Sequence, residues 1–159
     1  MGRLLPGVEH LQNIHPLFVH YPLAFFLGAV VFYLVAWIRR SDRLAAIAFA
    51  MLLAGTIGGA VAIGTGLYAQ GGVMVSRSVR TELLIRHRNL MLTTGCLAIA
   101  LTVWAIVARP FPRRLRAVFI LLLLAMLAVM SKGADDGGRM VYDYNAGGNA
   151  CGQPIDYTQ

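Results

Sequence analysis

The sequence predicts an all-α membrane protein: a bundle of four transmembrane helices, with a short interfacial helix and an irregular C-terminal tail. Three observations predict it. The 159-residue chain is 58% hydrophobic and only 13% charged, whereas a soluble domain carries about 25% charged residues. Its apolar residues fall in four long runs, as bilayer-spanning helices require. Short arginine-bearing connections join the runs. No soluble segment of domain size intervenes, so residues 1–159 read as one membrane domain.

Span one covers about residues 16–38 and begins in "IHPLFVHYP". Proline suits a first helical position. A start at Pro22 leaves a helix of about 25 Å, which barely crosses the hydrocarbon core. A start at Pro16 gives about 34 Å and a local distortion near Pro22. The second start is preferred. His15 then lies near the cap and His20 about 7 Å deeper, rotated by about 140°, so the two do not share one face.

Span two covers about residues 44–69. Its Gly55 and Gly59 form a GxxxG pair, and Gly58, Gly64 and Gly66 add small surface. Such a face admits a neighbouring helix or a flat cofactor, and helix packing is the plainer reading. The following stretch, "SVRTELLIRH", places Val79, Leu83 and Leu84 on one side and Glu82 four residues before Arg86. It is expected as a short amphipathic helix at the outer interface. Span three covers about 88–108 and span four about 115–134. The tail, 135–159, is Gly-rich, polar and aromatic, without a helical period. It is expected to be irregular, packed on the bundle mouth or a partner through Tyr142 and Tyr144.

The connections set the orientation. "RRSDR" and "RPFPRRLR" hold seven arginines together, against four in the middle loop. The two basic connections are therefore expected in the cytoplasm and both termini on the periplasmic side of a bacterial inner membrane. The N-terminus lacks the pattern of a cleaved signal peptide. A formal charge of +7 is explained by these flanking arginines, and no basic run suits nucleic acid. Cys96 and Cys151 are expected as free thiols, since pairing them would draw the tail to membrane depth.

Three of four histidines, His15, His20 and His87, gather at the outer end from two spans, and His10 precedes them on the same side. Imidazoles on facing helices suit axial ligation of a b-type haem, with one ligand from span one and His87 from span three. Arg86, Arg88 or Arg139 are candidates to pair with the propionates. Depth favours His15 as the partner of His87 and burial favours His20. A copper or zinc site built from all three histidines is a second reading, although no HxxxH or CxxC supports it. A third gives the histidines capping and interhelical roles without any cofactor. Lys132, Asp135, Asp136 and Arg139 cluster at the end of span four and read foremost as a solvated exit with local salt bridges. No nucleophile–base pair, phosphate loop or HExxH occurs, so no catalytic residue is assigned and a stand-alone enzyme is not expected.

"NIHPLFVHYPLAF", "AIGTGLY", "RHRNLM" and "GADDGGRMVYDYNAGG" occur in this order. Together they resemble the bacterial membrane family called domain of unknown function 2231, over nearly the whole chain. His15, Pro16, His20, Pro22, His87, Gly137, Gly138, Val141 and Tyr142 fall on positions of its pattern. Tyr21 replaces its usual Phe, and Asn145-Ala146 stands where the tail normally has a Gly. The resemblance implies the four-helix architecture. It also implies a small subunit beside respiratory or periplasmic oxidation systems, which favours electron transfer. The leading expectation is a haem b subunit with His20 and His87 as ligands and His15 as alternate ligand or propionate partner. It would work between an outer redox subunit and quinone or a larger complex. The rival expectation is a cofactor-free anchor or assembly subunit.

Overall fold

In a computed structural model, residues 14–73 and 75–146 are described. They form four helices: α1 (His15–Arg39), α2 (Asp42–Ala69), α3 (Arg77–Ala108) and α4 (Arg116–Tyr142), each long and apolar enough to cross a membrane. Every helix packs against the next, and α4 returns to α1, closing a four-helix ring. Consecutive helices run in opposite directions. One end of the bundle therefore carries the starts of α1 and α3 and the ends of α2 and α4. We call it the histidine end, and the other the arginine end.

α1 is interrupted at Val19, between His15–Phe18 and His20–Arg39. Pro22 has no N–H to give the Phe18 carbonyl, so the helical ladder steps there. At the far end Arg40 turns left-handed (φ 51°), and the Ser41 N–H returns to the Ala36 carbonyl at 3.1 Å. Ser41 then caps α2, its hydroxyl accepting from the Leu44 N–H, with Asp42 in the favourable first turn.

The glycines of α2 are packing surface. A Cβ on Gly58 would strike the Tyr21 ring, and one on Gly55 the Phe26 ring. α1 and α2 can approach this closely because aromatic rings of one fill notches of the other. The shared core continues through Ala29, Leu52, Ala98, Leu101, Leu123 and Met126. Midway, Thr56 donates to the Leu52 carbonyl (2.8 Å) and lies 2.8 Å from the Thr102 hydroxyl. Thr102 must be the donor of that second bond, because Thr56 has one proton. The outward faces stay apolar: Ile38, Ile57, Ile106, Val107 and Leu121 are all exposed, as lipid contact requires. Cys96 is a free thiol on this outer surface; Cys151 lies outside the described residues.

Two expectations change. "SVRTELLIRH" is not a separate interfacial helix among the described residues. It runs straight into α3 through a π-helical turn at Arg80–Leu84, and Val79, Leu83 and Leu84 are buried against Met140 of α4. Neighbouring apolar partners hold them inside the bundle. The tail is also not irregular from residue 135, because α4 continues to Tyr142. Its buried Asp136 is satisfied by Arg86 of α3, a contact that a local pattern cannot reveal. Tyr142 is 76% exposed, while Tyr144 lines a shallow cleft at the mouth with Arg86 and Arg139.

Candidate functional site

His15 and His20, on different faces of α1, have different fates. His20 is exposed, whereas His15 is half-buried against α2. Its Nδ1 lies 3.2 Å from the Thr65 hydroxyl, and its ring rests on Gly66, where an added Cβ would come within 2.9 Å of Cε1. Thr65 is itself a donor to the Val61 and Ala62 carbonyls, both at 3.0 Å. The Thr65 proton being engaged, Thr65 serves as acceptor for a proton on the His15 Nδ1, and the ring also hydrogen-bonds the Ala62 backbone. In the neutral ring the lone pair then sits on Nε2.

His87 reaches the same state by a different route. Its Nδ1 is 2.7 Å from the Gly133 carbonyl. A carbonyl only accepts, so Nδ1 carries a proton, and in the neutral ring Nε2 has the lone pair. The ring rests on Gly137, whose Cβ would lie 3.0 Å from Cε1. Gly133 and Gly137, one turn apart on α4, thus form a seat for His87, as Gly66 does for His15. Both imidazoles are fixed through Nδ1 by a neighbouring helix, which is the arrangement that orients a metal-ligating histidine. They come from α1 and α3, opposite corners of the ring.

Beside His87, Arg86 grips Asp136. Arg86 Nε donates to Oδ2 at 2.7 Å and Nη2 to Oδ1 at 2.6 Å. Asp136 is completely buried, and Lys132 approaches the same Oδ1 at 3.4 Å. The bidentate fork ties α3 to α4 one residue from both His87 and Gly137. It also bears on two expectations. Arg86, expected as a propionate partner, gives two of its donors to a carboxylate. The cluster on α4 is only partly a solvated exit: Lys132–Asp135 is exposed, with a 2.6 Å contact, but Asp136 is interior. Of the other proposed propionate partners, Arg88 contacts Asn89 (3.4 Å) and Arg139 contacts Asp143 (3.4 Å).

The structure therefore brings together His15, His87, Arg86 and Asp136, and leaves His20 outside. Among the described residues no group of three or more His, Cys, Asp or Glu could hold a metal ion; His10 lies outside the described residues. Sequence reasoning missed Asp136 as the partner of Arg86, and missed the Gly133–Gly137 seat. The four-residue glycine spacing in "GADDGG" was the available signal.

The sequence motifs now have partners: His15 of "IHP" meets "GTG", and "RH" of α3 meets "GADDG" of α4. A family model described as "Predicted membrane protein (DUF2231)" matches residues 11–150. No curated protein and no solved structure matches the chain.

Proposed function

The chain belongs to the family of predicted membrane proteins called domain of unknown function 2231, and on that footing we propose that it is a haem b membrane subunit of an electron-transfer system. The proposed ligands are His15 and His87. His15 takes the place that sequence reasoning gave to His20, whose side chain is exposed. One observation carries the reading: two imidazoles from opposite helices, each anchored through Nδ1, each directing its lone pair to Nε2. When bound, haem would supply one-electron chemistry. The residues would fix ring orientation, and the Arg86–Asp136 fork would hold α3 against α4 so that His87 keeps its place. Arg88 and Arg139 are the remaining candidates for propionates. In the predicted orientation this end faces the periplasm of a bacterial inner membrane, and electrons would pass between an outer redox subunit and quinone or a larger complex.

A second reading has its own support. The glycine seats account for both histidines as interhelical keys of a cofactor-free anchor subunit. A reduced-minus-oxidised spectrum of protein purified with its native cofactors separates the two. The haem reading expects b-type bands that His15→Ala and His87→Ala each abolish or shift, and that His20→Ala preserves. Absence of such bands supports the anchor reading and ends the first.

A further inference from the structure

The arginine end carries a site of a different kind. Its two connections, residues 39–43 and 109–116, hold seven arginines and one acid, Asp42. None of these arginines is held in an ion pair among the described residues. Topology alone accounts for arginines beside a membrane, but not for how three of them are arranged. Arg40, Arg113 and Arg116 line a cleft of about 290 Å³ with Ser41 and Asp42, and Phe111 forms part of its apolar wall. The cleft joins both connections, so residues distant in sequence build it together.

Arg116 is the informative member. Its guanidinium lies over the Phe111 ring, 5.3 Å from the centroid, which fixes its plane. Its Nε is buried without a hydrogen-bond partner. A buried donor left unpaired is costly, and its place in a cationic cleft calls for an acceptor with negative charge. Guanidinium forks match phosphate oxygens. Three arginines against one aspartate leave an excess of positive charge for a phosphodiester. The surrounding helix ends are apolar: Ile38 is 77% exposed and Val107 75% exposed near this end. A headgroup in the cleft would have its acyl chains on lipid-facing surface. A free phosphate would gain nothing from that surface.

We propose that this cleft binds the phosphate of an anionic phospholipid in the leaflet at the arginine end. The test titrates purified protein in neutral detergent with phosphatidylglycerol, phosphatidylcholine or inorganic phosphate, reading the thermal unfolding midpoint. Phosphatidylglycerol should raise the midpoint, and the other two should not. Arg113→Gln should weaken the apparent affinity about fivefold, and combined replacement of Arg40, Arg113 and Arg116 by Gln on the order of a hundredfold, from the usual contribution of a basic residue at an anionic membrane. Arg114→Gln, an exposed neighbour outside the cleft, should leave it unchanged. Equal weakening by Arg113→Gln and Arg114→Gln would mean diffuse attraction and overturn the site. An equal response to inorganic phosphate would overturn the lipid assignment, and no response to phosphatidylglycerol would overturn both. Should the triple variant not fold, the two single variants decide.

Discussion

At the arginine end of the bundle, Tyr33, Trp104 and Phe111 surround Phe119, with ring centroids 5.1 to 5.9 Å from it and edge-to-face tilts. At the histidine end the same helices meet through His15, Thr65, His87, the Gly133 carbonyl, Arg86 and Asp136. Aromatic packing is broad and weakly directional, and it holds helices together by shape. Hydrogen bonds to ring nitrogens and a bidentate fork are directional, and they fix individual atoms. The first end is built for cohesion. The second is built to hold two imidazoles in set orientations. In a bilayer, where lipid competes equally for apolar surface, both devices matter more than simple burial.

The sharpest way to break the comparison is Phe119→Ala. It should cost about 3 kcal/mol, chiefly through the cavity left at a fully buried ring, measured by denaturation in detergent. Any cofactor signal at the histidine end should be unchanged in the variant that remains folded. Asp136→Ala comes next. It leaves Arg86 without its carboxylate, and its loss of thermal midpoint should fall between those of Phe119→Ala and Gly137→Ala. A double-mutant cycle with Arg86→Gln should show strong coupling. Gly137→Ala places a methyl against the His87 ring and should cost about 1–3 kcal/mol; it should also shift the imidazole's NMR resonances, where Gly64→Ala, in open space, should not. The smallest effect is Tyr33→Phe, which removes the 3.1 Å bond to the Pro110 carbonyl and should cost about 1 kcal/mol. If it cost as much as Phe119→Ala, the aromatic end would owe its strength to direction rather than to shape.

The helices were legible because long apolar runs have one explanation in a membrane. Their ends were less so. Asp135, Asp136 and two glycines after residue 134 argued against helix, but Asp136 meets an arginine fifty residues away, and that partner overrides propensity. His15 and His20 lie on different faces of α1, and which face meets α2 is set by packing that helical spacing alone does not give. The small face of α2 was visible in its glycines, and the structure fills it with Tyr21 and Phe26. The seat on α4 has the same spacing, but the charged residues inside it drew attention to solvent instead.

The π-helical turn at Arg80–Leu84 has a consequence for how this chain tolerates change in length. A π turn holds one residue more than the α-helical turn it replaces. Removing Thr81, which is exposed, should let the backbone relax to ordinary α-helix, with Arg86 and His87 still facing α4. The missing residue would be felt upstream, at Val79 and the Ser76 cap, as a rotation of the helix start. The turn therefore gives the register of α3 one residue of slack ahead of the paired arginine and histidine.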